Sequence, residues 1–217
     1  MSSSAPCGRL FVVAAPSGAG KTSLVRALLQ RKPELHVSVS YTTRPRRPTE
    51  QDGREYHFIP VAEFQQLRNA GQFLESAQVF DNSYGTGRQS VQAQLARGNH
   101  VVLEIDWQGA RQVRQSMPEC VTIFVLPPSR RALEERLTNR RTDSAAVIAR
   151  RLQDAVSDMS HWNEFEYVLV NDDFEKTVGD LVRIVENAGN GAAGAGLAAL
   201  RAQRAQLRPL LADLLGS

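Results

Sequence analysis

The strand-like run Leu10 to Ala14 leads directly into Ala15-Pro16-Ser17-Gly18-Ala19-Gly20-Lys21-Thr22 and then into the helical pattern Ser23 to Leu29. No other stretch of the 217 residues constrains the fold as tightly. The spacing is that of GxxxxGK[ST], with Ala15 standing where the first glycine is usual. Small residues there let successive backbone N–H groups turn inward on phosphate oxygens, and the helix N-terminus adds its positive dipole end. Lys21 is then placed to bridge β- and γ-phosphates, and the Thr22 hydroxyl to ligate Mg²⁺. Four short apolar runs read as buried parallel strands: Leu10 to Ala14, Val101 to Ile105, Val121 to Leu126 and Tyr167 to Val170. Each is followed by a helical pattern, the alternation of a doubly wound α/β sheet, and Val37 to Ser40 offers a fifth strand.

Two breaks interrupt that alternation. Between Tyr41 and Arg88, Pro45, Pro48 and Gly53 punctuate the chain, Tyr56 to Ile59 and Phe73 to Phe80 read as extended, and Val61 to Ala70 as helical, so the segment is an inserted lobe. The Arg-rich stretch Ser129 to Arg151 is a second insertion, two helices meeting near Arg140 to Ser144. After Val185 the composition shifts to Gly and Ala, and a final helical pattern carries Leu197, Leu200, Leu207, Leu211 and Leu214 at three-four spacing. That stripe, interrupted by Arg204, has two readings: a coiled-coil contact with a second copy, giving a homo-oligomer, or an amphipathic tail helix that lies on its own domain or frays in solution.

The basic side chains number 26 against 23 acidic ones, a net charge of +3, and 23 of the 26 are Arg. Coding bias accounts for such a skew, as does a need for planar guanidinium forks on phosphate or carboxylate. A charge this small and dispersed argues against general nucleic-acid binding. No segment approaches the roughly 18 apolar residues of a membrane span. Cys7 and Cys120 lack any metal-ligand spacing, which suits a reducing, cytoplasmic setting. Glu104 and Asp106 close the apolar strand Val101 to Ile105 at alternate positions, a carboxylate pair on one face opposite the phosphate loop.

Taken with the loop, four further motifs carry a resemblance: Ser38-Val39-Ser40-Tyr41-Thr42-Thr43-Arg44-Pro45-Arg46-Arg47-Pro48, Tyr84-Gly85-Thr86, Glu104-Ile105-Asp106-Trp107-Gln108-Gly109 and Val170-Asn171-Asp172-Asp173. From Leu10 to about Asn187 the chain closely resembles guanylate kinases of the bacterial type. The resemblance implies a P-loop NTPase core of parallel sheet and flanking helices in segments 1–37, 90–128 and 152–187. It implies a GMP-binding lobe at 38–89 and a helical lid at 129–151, leaving 188–217 as a Gly/Ala linker and helical tail. ATP and GMP are the implied partners, Mg²⁺ the implied metal, and purine nucleotide metabolism the implied setting.

The resemblance also distributes roles. Arg44, Arg47, Tyr56 and Tyr84 would hold the GMP phosphate, and Ser40, Glu75 and Thr86 would read the base. Guanine presents N1–H and an amino group side by side to one carboxylate, whereas adenine offers that carboxylate a lone pair. Asp106 would lie beside the base and ribose. Glu104 would act on Mg²⁺ through water, at a position where family members commonly carry Asp. Residues 15–22 (Ala15, Pro16, Ser17, Gly18, Ala19, Gly20, Lys21 and Thr22) with Asn171 and Asp172 would hold ATP. Lys21, Arg44, Arg136, Arg140 and Arg151 would stabilise the transferring phosphoryl. Two other readings compete: a ribosyl bisphosphate kinase on the same scaffold, and a non-catalytic guanylate-kinase-like binding module.

Overall fold

The computed structural model describes residues 8–79, 81–138, 145–189, 198, 200, 201 and 206–216. Its central sheet has five parallel strands in the order β2 (His36–Val37), β7 (Val101–Glu104), β1 (Leu10–Ala14), β8 (Val121–Leu126) and β9 (Tyr167–Val170). Strand residues alternate between faces, so β1 serves two cores. Phe11 and Val13 point to a cluster covered by α1 (Lys21–Arg31) and α7 (Phe174–Gly189) through Leu24, Leu28, Val178, Leu181 and Ile184. Leu10, Val12 and Ala14 point to the other cluster. There the cover comes from α3 (Arg88–Ala96), α4 (Trp107–Ser116), α5 (Arg130–Thr138), α6 (Ala145–Met159) and α8 (Arg208–Leu215).

A second sheet runs β4 (His57–Phe58), β3 (Tyr41–Thr42), β6 (Asn82–Gly87) and β5 (Phe73–Val79), with α2 (Val61–Asn69) packed on β5. Its β5–β6 hairpin is antiparallel, with Glu75 opposite Thr86 and Ala77 opposite Tyr84. Gly85 is glycine for a packing reason: a Cβ there would lie 3.0 Å from the Phe73 ring, which sits over the backbone. The two sheets are joined through α4. The Gln112 amide donates from Nε2 to the Ser76 carbonyl at 2.8 Å and accepts the Ser76 N–H at Oε1 at 3.0 Å, completing both backbone valences of β5 at that point.

The strands at 10–14, 121–126 and 167–170 stand where the apolar runs put them, and β7 stops one residue short, at Glu104. The fifth strand is His36–Val37 rather than Val37 to Ser40: the Ser38 N–H still donates to the Val102 carbonyl at 3.2 Å, and the chain then leaves the sheet edge. β3 and β6 have no apolar alternation to announce them, and β6 reads NSYGTG. The joint expected near Arg140 to Ser144 lies outside the described residues, as do Leu197 and Cys7. Cys120 is a buried free thiol, pushed up to about 11 by burial. Among the described residues no helix is long and apolar enough to cross a membrane.

The leucine stripe of the tail turns inward. Leu200 joins the cluster under α7, while Leu207, Leu211 and Leu214 join the one beneath α5 and α6. Burying these four leucines against the chain's own core removes their apolar surface from water, which favours a tail helix lying on its own domain. Leu214 is fully buried. Leu214→Ala is accordingly expected to cost about 2–5 kcal/mol in urea unfolding; a loss near zero would show that the tail does not contribute to the core.

Candidate active site

The turn between β1 and α1 is held by two glycines in the left-handed region, Gly18 at φ 89° and Gly20 at φ 95°. Neither has room for a side chain. A Cβ on Gly18 would lie 2.9 Å from Leu133 Cδ1, and one on Gly20 would lie 2.6 Å from Asn171 Nδ2. Asn171, at the end of β9, donates from that nitrogen to the Ala19 carbonyl at 2.8 Å. Arg136 on α5 donates to the same Ala19 oxygen at 3.4 Å and to the Asn171 carbonyl at 3.2 Å. The loop is thus gripped from behind by α5 and β9, which leaves its other side for a ligand. Lys21 crosses to the end of β7, donating to the Ile105 carbonyl at 2.7 Å. The Thr22 hydroxyl donates to the Glu104 carboxylate.

Below the loop, Asp106 caps α4, accepting the Gly109 N–H at 2.8 Å. Gly109 itself makes room for Glu75: a Cβ there would lie 2.6 Å from Glu75 Oε2. The Glu75 carboxylate, 4% exposed, accepts from the Thr86 hydroxyl at 2.5 Å, and Thr86 lies 3.4 Å from the Ser40 hydroxyl. Burial pushes Glu75 up to about 7, with the Asp106 charge adding to the rise and the Thr86 hydrogen bond and the Lys21 charge opposing it. The second sheet and the loop are therefore within electrostatic reach of each other.

Arg44 leaves β3 and is clamped by Glu50, through Nη2, at 2.8 and 3.1 Å to the two carboxylate oxygens. Glu50 also accepts the Arg47 N–H at 2.8 Å, whereas the Arg47 guanidinium stays largely in solvent. The Arg44 guanidinium lies 5.6 Å from the Tyr56 ring centroid, and Tyr56 and Tyr84 meet edge to face at 5.8 Å. Burial, with the Glu104 charge, pushes the Tyr56 phenol up to about 12, so it remains a hydrogen-bond donor at neutral pH. Of the four groups named from the sequence, Arg44, Tyr56 and Tyr84 thus meet, and Arg47 is linked to them through its backbone N–H on Glu50. Glu50, which organises them, had no sequence signal.

Of the three arginines expected in a lid, Arg136 lies against the loop as described, Arg151 is half-buried on α6, and Arg140 lies outside the described residues. Asp172 is exposed, accepting the Asp173 N–H at 2.8 Å, and Asp173 in turn accepts the Lys176 N–H in the first turn of α7. The end of α6 is fastened to the start of α4: Trp107 Nε1 donates to Asp158 at 3.0 Å and the Trp107 ring stacks on His161 at 3.5 Å. Burial pushes the Asp158 carboxyl up to about 6.

A family-wide sequence model described as guanylate kinase matches residues 7–188. The chain belongs to the guanylate kinase family. Guanylate kinase of Chromohalobacter salexigens is 58% identical over 178 residues, covering 82% of this chain and 83% of that protein. The protein of the same name from Methylococcus capsulatus is 53% identical over 96% of this chain and 98% of its own, so the likeness extends through most of the tail. The crystal structure of guanylate kinase from Anaplasma phagocytophilum superposes with a TM-score of 0.71 at 30% identity, covering 94% of this chain and 95% of that one.

As a guanylate kinase family member the chain has a donor set that fits Mg²⁺. Thr22 and Glu104 bring a hydroxyl and a carboxylate, hard oxygen ligands, together at the exit of the loop. Among the described residues no group of three or more His, Cys, Asp or Glu could hold a metal ion. Gly109 and Gln112 are the structural contributors that sequence reasoning passed over, because their partners lie on a different sheet.

Holding an ionised Glu75 in this site has a cost that can be read. Its pKa rises from 4.5 to about 7, so the folded state binds the extra proton between those values and stability falls as pH climbs through that window. The full effect is about 3 kcal/mol above pH 7. Glu75→Gln is therefore expected to be more stable than the parent at pH 8, with the gap closing by pH 5, in paired urea melts. An equal difference at both pH values would contradict the assignment.

Proposed function

We infer that this chain is a guanylate kinase that reversibly transfers the γ-phosphoryl of ATP to the phosphate of GMP, giving ADP and GDP. The observation that carries the reading is the buried Glu75 carboxylate with the Thr86 and Ser40 hydroxyls, in electrostatic reach of Lys21. Guanine N1–H and its amino group supply two donors for that carboxylate. With adenine, a buried acceptor would face a lone pair, and sites built on hydrogen bonds reject such a mismatch by roughly 10⁴ or more.

In this reading Arg44, Arg47, Tyr56 and Tyr84 hold the GMP phosphate, with Glu50 keeping Arg44 aimed until the phosphate arrives. Asp106 lies beside the base and ribose. The backbone N–H groups of residues 15–22 surround the ATP phosphates, Asn171 fixes the loop's shape, and Asp172 lies at the adenine end. Lys21, released from the Ile105 carbonyl, reaches between the β- and γ-phosphates. Arg136, Arg140 and Arg151 neutralise charge on the phosphoryl in transit. Thr22 and, through water, Glu104 would hold Mg²⁺, which supplies charge neutralisation on the phosphate oxygens. No general base is needed: a phosphate monoester with its second pKa near about 6 is already mostly a dianion at neutral pH. Catalysis then rests on aligning two polyanions and excluding water.

A division into a core, a GMP-binding lobe at 38–89 and a lid at 129–151 draws support from the separate second sheet and from the α5–α6 pair, of which α6 continues past 151 to Met159. A cytoplasmic place in purine nucleotide metabolism follows from the substrates. Neither the ribosyl bisphosphate kinase nor the non-catalytic module is favoured, since the first would have no use for a base-reading carboxylate and the second none for an intact Gly20-Lys21-Thr22.

A coupled ADP-release assay with GMP, AMP, UMP and CMP as acceptors tests the reading. GMP is expected to exceed AMP by roughly 10⁴ in kcat/KM, and a preference for AMP or UMP would overturn it. Lys21→Ala should lower kcat by about 10²–10³ or more, whereas Glu75→Ala should act chiefly on kcat/KM for GMP.

A further inference from the structure

The C-terminal helix meets the lid-bearing helix end to end. The Asp213 carboxylate on α8 accepts the backbone N–H of Arg130, the first residue of α5, at 3.0 Å. The other side of that helix start is closed locally, by Ser129 Oγ accepting the Ala132 N–H at 3.1 Å. Helix N-termini carry unsatisfied N–H donors and a partial positive charge, so a carboxylate is the best cap for the donor that Ser129 leaves. The contact is reciprocal. The Arg130 guanidinium lies over the end of α8, where a Cβ on Gly216 would come within 3.2 Å of its Nη1, so a cation faces the negative end of the tail helix.

Behind this joint, Leu207, Leu211 and Leu214 share one buried cluster with Leu133 and Leu137 of α5 and with Ala155 and Met159 of α6. In front of it, Leu133 and Leu137 are the side chains that press on Gly18 of the phosphate loop, and Arg136 between them donates to Ala19 and Asn171. A continuous set of contacts therefore runs from the tail through α5 to the loop.

We propose that α8 is a brace for α5, and that Asp213 is a positioning residue which, by capping α5, sets the seat of Arg136 and of Leu133 and Leu137 on the phosphate loop. The proposal rests on the phosphotransferase reading above and extends it to a segment that touches neither substrate. Asp213 is exposed and reaches the nucleotide only through α5, so its loss should weaken the ATP side of the reaction and spare the GMP side.

The test uses the full chain with Asp213→Asn, Asp213→Ala and Asp213→Lys, measuring kcat, KM for ATP, KM for GMP and Tm. Asn keeps a capping oxygen and should stay near the parent. Ala should raise KM for ATP by about threefold to tenfold, and Lys, a cation at the positive helix end, should raise it further. KM for GMP should hold within about twofold in all three. Arg130→Pro removes the donor at a first-turn position that proline tolerates, together with the guanidinium that faces the end of α8, and should raise KM for ATP at least as far as Asp213→Ala. A fall in Tm with both KM values unchanged, or equal shifts in both, would overturn the proposal by reducing Asp213 to a stability role. A parent chain without GMP-dependent turnover would instead overturn the functional reading, so the two failures are distinct.

Discussion

The left-handed backbone at Gly18 and Gly20 is the constraint on which the rest depends. Only glycine adopts φ near 90° without strain, and the two positions are also where neighbours come closest, Leu133 at one and Asn171 at the other. Adding a single methyl would push away either the α5 side chains or the end of β9. Because Ala19 between them receives donors from both Asn171 and Arg136, the loop's shape is set from three directions: the strand that leads in, the helix that leads out and the elements packed behind. A phosphate loop must present its N–H groups without reorganising when the ligand arrives, and this packing is what removes the alternatives.

A second constraint works against stability. Glu75 is a carboxylate in a site that raises its pKa to about 7, with Thr86 as its hydroxyl donor. Gly109 and Gln112 make that burial feasible, one by clearing space and the other by tying α4 to β5 on the adjacent residue. An under-satisfied buried acceptor is a liability in the free protein and an asset for selection, since a ligand bringing two donors relieves it and one bringing a lone pair worsens it. The proposed guanine preference and the stability deficit at alkaline pH thus have one cause.

How much of this was legible in the sequence depended on how local the signal was. Leu10 to Thr22 carries strand, turn and helix start in consecutive residues, and the apolar runs at 121–126 and 167–170 are long enough to be unambiguous. β3 and β6 are held by pairing with each other and by the Phe73 ring over Gly85, contacts that leave no periodicity behind. The residue roles came through the family resemblance more than through pattern. Arg44 and Arg47 show the limit: nothing in their run separates Arg47, whose guanidinium lies largely in solvent, from Arg44, which is clamped by a carboxylate six residues on. Glu50, Gly109, Gln112 and Asp213 were invisible for the same reason, each acting on a neighbour defined only after folding.

The excess of Arg over Lys acquires a structural meaning from these contacts. Arg136 divides its fork between two carbonyls, that of Ala19 in the loop and that of Asn171 at the end of β9, and so couples α5 to both. Arg114 likewise reaches the Glu164 carbonyl and carboxylate together, and Arg111 adds a second fork to the same carboxylate, holding it well below its usual range at about 2. Lys could make one bond of each pair but not hold the plane. Lys21 is the opposite case. Among the described residues its ammonium donates to the Ile105 carbonyl, and a point charge on a flexible stem can exchange that oxygen for phosphate. Arg136 shows the fork where two elements have to be coupled, and Lys21 the point charge where a cation within the loop can exchange one carbonyl for phosphate.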